Sequence, residues 1–259
     1  MVFKMKILIL SDANSVHTLK WVESLQRHDL NLILFSLFKP NKDYVKKYIE
    51  LNVIVVSPNL KLRTNYLRRP NLRKLYYLVG LYHLKKTINA HKPDLLHAHY
   101  ASSYGILALI CKFRPFILSI WGSDIFDFPN KNFLNKWIIK KVINSANVVC
   151  SSSKAMINIV RNEYNRTDLY LIPFGVDTDK FKPKMDINDS FVVGTVKSIE
   201  EHNGIGCLID AANIIIHDYN KNKFRFKIVG DGSDLEKMKQ KTRKLKLQKY
   251  IEFTGHVFF

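Results

Sequence analysis

Short runs of apolar residues, each broken off by a small or polar group, recur along this chain. KILIL at Lys6–Leu10 stops at Ser11-Asp12, VIVVS at Val53–Ser57 stops at Pro58, and FILSI at Phe116–Ile120 stops at Trp121-Gly122. A strand buried on both faces reads as such a run, because neither side of it meets water. Further strands are expected over 30–36, 93–99, 147–151 and 169–172. Between them lie stretches of helical spacing, such as Val16, Leu19, Trp21, Val22 and Leu25 within 15–27. Helices are also expected over 72–91, 103–112, 133–145 and 154–163. Alternating buried strands and helices predict an α/β fold with a parallel, doubly wound sheet and right-handed crossovers. Ligands of such sheets sit beyond the carboxyl ends of the strands, so polar residues that directly follow strands carry the functional information.

A turn-rich segment, IPFGVDTDKFKP at Ile172–Pro183, separates this series from a second one. Strands are expected over 191–196, 224–229 and 251–254, with helices over 205–217 and 235–246. The division is a first Rossmann-like domain at 1–171, a link at 172–190 and a partial second domain at 191–259. Three strands make half a Rossmann domain and leave a sheet edge and apolar faces to be covered.

Composition narrows the function classes. Cys111, Cys150 and Cys207 are far apart and show no metal or redox spacing, which fits buried thiols in a reducing compartment. The apolar start is cut short by Ser11-Asp12 and does not read as a secretory signal. Tyr104–Ile120 is the nearest approach to a spanning segment and is broken by Lys112, Arg114 and Pro115. The net charge is +19 and uneven: no acid occurs between Asn52 and Pro93, where basic residues from Lys61 to Lys92 interleave with Leu and Tyr. That pattern over 61–92 fits an anionic membrane surface, each cation contributing about 1 kcal/mol. A solvated basic face backed by a core-facing stripe fits it too. Nucleic acid is not expected as a partner, since no binding module is visible.

Several polar groups follow strands. In Ser11–His17, Asp12 or Ser15 is expected to cap the next helix, and Asn14 and His17 are candidate ligand contacts. His97 and His99 share one strand face by alternation. They are two imidazoles without an evident third metal ligand, and backbone-satisfied strand-end histidines are the alternative. Trp121-Gly122-Ser123-Asp124 follows the next strand, where glycine allows close backbone approach. Asp124 either serves as a functional carboxylate or caps the next helix. In the second series, Lys197 and His202-Asn203-Gly204 follow the first strand. Val229-Gly230-Asp231-Gly232 follows the second, a tight turn and helix start. The first loop lacks G-x-G-x-x-G, which argues against a nicotinamide-dependent or epimerase-type Rossmann enzyme.

The link, the GTVKS context of Lys197 and the VGDGS turn, in this order and spacing, resemble family 4 retaining glycosyltransferases over essentially the whole chain. SDANSVHTLKW resembles the subgroup that acts in bacterial surface-polysaccharide synthesis. The resemblance implies the GT-B fold, two Rossmann-like domains facing a cleft. It implies transfer of a sugar from a UDP- or GDP-linked donor to a saccharide or polyprenyl-linked acceptor, with no metal and no further cofactor. The expected location is the cytoplasm, peripheral on the inner face of the membrane.

By the same resemblance, Lys197, His202, Asn203 and Gly230 hold the donor. The family's first cation matches Lys197, and its second, commonly lysine, is His202 here. Positive charge beside the departing diphosphate lowers the barrier. Asp124 and His99 are the catalytic candidates, positioning acceptor or sugar, and Asn14, His17 and Trp121 the acceptor-binding ones. Many relatives carry histidine where this chain has Trp121. The family's Glu-x7-Glu motif is not found in the chain. The expectation is therefore a glycosyltransferase truncated in its second domain. The alternative is an inactive remnant that binds a membrane or a partner.

Overall fold

The computed structural model describes residues 4–58, 70–183 and 191–257, and of 70–75 the backbone alone. The chain divides into two compact units, Met1–Val176 and Asp177–Phe259. The boundary falls within the turn-rich link. Lys61, Arg63, Arg68 and Arg69 of the basic stretch lie outside the described residues, as does the polar segment 184–190.

The first unit is built on a seven-stranded parallel sheet in the order β3-β2-β1-β4-β5-β6-β7. The strands are β1 (Lys6–Leu10), β2 (Asn31–Phe35), β3 (Ile54–Val56), β4 (Leu95–His99), β5 (Phe116–Ile120), β6 (Val148–Ser151) and β7 (Leu169–Leu171). The order reverses between β1 and β4, where Ile9 lies opposite His97 and Leu10 opposite Ala98. On the next pair His99 lies opposite Ser119. The carboxyl ends of β1, β4 and β5 are thus neighbours.

Two helical layers cover the sheet. Helices α1 (Val16–Gln26) and α2 (Lys42–Glu50) close one face over Ile7, Ile9, Leu32 and Leu34. Helices α3 (Pro70–His91), α4 (Ile106–Cys111), α6 (Phe133–Ser145) and α7 (Lys154–Tyr164) close the other over Leu8, Leu10, Phe116 and Leu118. A short helix, α5 (Ser123–Phe126), leaves β5 directly, and a π-helical turn at Tyr100–Gly105 joins β4 to α4. Helix α2 has no counterpart in the sequence reading. Only Tyr48 of its residues is buried, although Tyr44, Val45, Tyr48 and Ile49 recur at helical spacing among the charged residues of this short segment. Its start is set by Asn41, whose side chain accepts from the Tyr44 N–H.

The second unit holds β8 (Phe191–Val196), β9 (Phe224–Val229) and β10 (Ile251–Gly255) in the parallel order β10-β9-β8. Helices α8 (Ile205–Asn213) and α9 (Leu235–Lys244) pack together with Phe226, Ile228 and Ile251 in a single core. Alternation puts Val192, Val196 and Lys227 on the other face, where they are exposed.

Candidate functional site

The carboxyl edge of the first sheet begins with a buried polar row. His97 and His99 project to the same side of β4, as alternation requires, with ring centroids 4.5 Å apart and edge to face. Trp21 of α1 packs on both, at 5.1 and 5.4 Å. His97 Nε2 lies 2.8 Å from Ser119 Oγ. His99 Nδ1 lies 3.1 Å from Ser11 Oγ, which in turn lies 2.6 Å from Thr18 Oγ1. Burial penalises the charged imidazolium, pushing His97 down to about 4 and His99 well below its ordinary value; for His99 the neighbouring His97 adds to this. Both rings are therefore neutral near pH 7. His99 Nε2 is buried without a hydrogen-bond partner, and its ring centroid is 4.6 Å from that of Trp121.

Asp124 is fully buried and both its oxygens are engaged. Oδ1 accepts from the N–H of Gly122 at 2.8 Å and of Trp121 at 3.2 Å, and Oδ2 accepts from the Ala101 N–H at 2.8 Å. The carboxylate thus ties the turn after β5 to the start of the helical segment after β4. Burial raises its pKa above the ordinary carboxylate value, while these backbone donors pull the other way. Gly122 has φ +155°, a conformation side chains rarely adopt, so the turn requires glycine. Tyr100 has φ +75° and its hydroxyl meets Ser123 Oγ.

The first loop differs from expectation at its cap. Ser15 occupies the N-cap of α1 without a side-chain bond. Asp12 does not cap the helix either: its Oδ1 accepts from the Asn14 N–H at 3.0 Å and closes a turn upstream. Asn14 in turn spans two loops, accepting from the Asn41 N–H at 2.8 Å and donating to the Lys39 carbonyl at 3.2 Å. Its amide braces the loop after β2.

His17 stands exposed above this loop. Its ring stacks on Phe174 at 4.1 Å, and Trp121 meets both rings edge-on at 5.8 and 5.5 Å. Partial covering of its ring and the charge of Lys20 lower the His17 pKa. The structure thus brings His17, His99, Trp121 and Asp124 together. Phe174 joins them unforeseen. Its one signal in the sequence is a bulky aromatic among the turn formers of the link.

In the second unit the loop after β8 is welded to the turn after β9. The Lys197 N–H donates to Val229 O, Ile199 N–H to Asp231 O and Asp234 N–H to Ile199 O, at 2.9–3.0 Å. The turn approaches so closely that a Cβ on Gly230 would lie 1.9 Å from Lys197 O, and one on Gly232 2.4 Å from Ile199 O. Both glycines are demanded by backbone contact. The Lys197 side chain is exposed and makes no ion pair among the described residues. Asn203 donates to the Ser198 carbonyl and hydroxyl at 3.0 and 2.8 Å, drawing the turn before α8 back onto the same loop. His202 is exposed, with Nε2 3.5 Å from a Glu200 carboxylate oxygen. Helix α8 opens at Gly204, φ +71°, with no side chain capping it, so its first N–H groups are free to receive an anion. Among the described residues no group of three or more His, Cys, Asp or Glu is placed to hold a metal ion.

The sequence model of the glycosyl transferase 4-like family matches residues 6–153, and that of the glycosyl transferases group 1 family matches residues 177–258. Solved structures share the fold at low identity. HepE from Anabaena, crystallised with UDP and glucose, superposes with a TM-score of 0.72 at 18% identity, over 98% of this chain and 70% of that one. The lipopolysaccharide outer core galactosyltransferase WaaB gives 0.63 at 16% identity, over 98% and 68%. Sucrose-phosphate synthase from Thermosynechococcus elongatus gives 0.69 at 11% identity, over 98% and 71%. No curated protein matches the chain by sequence.

Proposed function

Because this chain belongs to the glycosyl transferase 4-like family, we propose that it moves a sugar from a UDP- or GDP-linked donor to a lipid-linked or polysaccharide acceptor. Transfer proceeds with retention at the anomeric carbon, in cell-surface polysaccharide synthesis at the inner face of the membrane. The observation that carries the donor assignment is the pinned loop of the second unit. It presents the unpaired Lys197 and the open N-terminus of α8 from one rigid strand end. Breaking the glycosidic bond places negative charge on the leaving diphosphate, and fixed positive charge that needs no rearrangement lowers that barrier. UDP bound to HepE supports the choice of ligand class. His202, beside Glu200, is a second hydrogen-bonding group on the same loop.

In the first unit, His17 and Trp121 offer apolar ring surface to a sugar, and Phe174 extends it. Asp124 positions rather than reacts, since its oxygens are spent on backbone donors. His99 is a neutral group packed beneath Trp121, and it positions the sugar through that ring. The acceptor's lipid is met by the basic stretch 61–92.

Calorimetric titration with UDP and GDP tests the donor site. One of them should bind the wild-type chain. Lys197→Ala should weaken that binding about 10-fold, the worth of one charge-assisted hydrogen bond. Equal affinity in the variant would remove Lys197 from the donor site. Turnover of a nucleotide sugar, with the anomeric proton coupling of the product read by NMR, tests retention.

A further inference from the structure

The layer α3–α4–α6 stands apart from the rest of the first unit. Helix α4 packs against both α3 and α6, so the three form one continuous sheet-covering layer. Together they contain seven Lys or Arg and no Asp or Glu, whereas α1 and α2 across the sheet mix four cations with three acids. The outward side of the acid-free layer is also apolar. Leu78 and Tyr82 of α3 are 64% and 65% exposed, and Ile110 of α4 is 47% exposed.

The densest part is the start of α6. Phe133 is 84% exposed, Leu134 61% and Trp137 49%. Phe133, Trp137 and Lys141 are spaced i, i+4, i+8 and so form one stripe. The Lys141 ammonium sits 5.5 Å from the Trp137 ring centroid. Lys140 is exposed beside it, and Lys131 precedes the helix. Opposite this stripe, Ile139, Val142 and Ile143 are fully buried, so the helix is anchored by its other side. Glu163 of α7 faces α6 and is held by Lys136 at 2.6 Å, and Asp127 is exposed in the segment before the helix.

We infer that this layer docks on an anionic lipid bilayer, with Phe133, Leu134 and Trp137 entering the headgroup boundary and Lys140 and Lys141 at the lipid phosphates. Aromatic residues at the tip of a helix, cations one turn on and helices that carry no acid of their own are complementary to negatively charged lipid. No helix among the described residues is long and apolar enough to cross a membrane, so the contact is lateral. The inference rests on the reading of a lipid-linked acceptor and gives that reading a docking element beyond 61–92.

The test is partitioning of the whole chain onto phosphatidylcholine vesicles with and without phosphatidylglycerol. Binding should require phosphatidylglycerol. Phe133→Ser combined with Trp137→Ser should reduce it at least ~10-fold, the effect of losing two inserted aromatics, with unchanged circular dichroism. Acyl-brominated lipid should quench the fluorescence of the bound wild type. Trp137→Phe should retain binding and lose most of that quenching. Equal binding to neutral vesicles, or undiminished binding of the double variant, overturns the inference. So does a doubled mass in light scattering that the double variant halves, because a second copy then covers the patch. UDP titration of the same samples is independent: loss of UDP binding with retained vesicle binding would strike the donor reading alone.

Discussion

The two units end their strands in opposite ways. In the first, the polar side chains beyond β4 and β5 turn inward: Asp124 clamps three backbone N–H groups, and His97 and His99 lie neutral beneath tryptophan. In the second, the backbone does the holding through Gly230 and Gly232, and Lys197 and His202 turn outward. One edge is a polar frame that presents aromatic surface. The other is a backbone frame that presents charge. A residue that follows a strand is therefore not yet a ligand-binding residue, and burial decides which kind it is.

The largest expected effect breaks the first frame. Asp124→Ala should leave three backbone donors unpaired, the buried one of Ala101 and the part-buried ones of Trp121 and Gly122, and cost about 3 kcal/mol. All three tryptophans, Trp21, Trp121 and Trp137, lie in the first unit, so tryptophan fluorescence during denaturation reads this loss directly. If Asp124→Ala melts like the wild type, the clamp carries no weight and the contrast fails. In the second unit, Gly230→Ala should cost about 2–3 kcal/mol, from φ +145° and the collision with Lys197 O. It should abolish UDP binding while the tryptophan-detected transition stays put.

A pH series sharpens the comparison. His97 in the fold titrates at about 4, below the 6.5 of a free imidazole, so the unfolded chain takes up its proton first as pH falls. The associated stability is whole above pH 6.5 and is lost between 6.5 and about 4, at about 1.4 kcal/mol per pH unit for each such histidine. His99 shifts in the same direction. Melting temperature by tryptophan fluorescence should fall across that window, and more gently in His97→Gln. A flat profile would mean that the histidines are hydrated. The smallest effect on stability belongs to the charge-presenting edge: Lys197→Ala should alter it by no more than about 0.5 kcal/mol, although nucleotide affinity drops. A large loss of stability in that variant would make Lys197 part of the frame.

Much of this was legible in the residues. Runs such as KILIL and FILSI became buried central strands because solvent reaches neither face, and period two placed His97 and His99 on one side. Helix α2 carried its signal in Tyr44, Val45, Tyr48 and Ile49 at helical spacing, but the segment is short and more than half charged, and the stripe was passed over. The capping roles of Asp12 and Ser15 also went astray. Asp12 had a nearer donor in the Asn14 N–H, and a local turn outcompeted the helix cap. Phe174 was hidden because stacking across distant loops has no periodicity. That Asp124 would spend both oxygens on backbone was equally out of reach, because its partner Ala101 is distant in sequence and announces nothing through its own side chain.

That last feature bears on how such a site can change. Every partner of Asp124 is a main-chain N–H, so the clamp is indifferent to which side chain stands at position 121. A different ring can replace Trp121 while the turn beneath it keeps its shape. The loop behaves as a socket with an exchangeable fitting, and a lineage can retune what that edge accepts one substitution at a time.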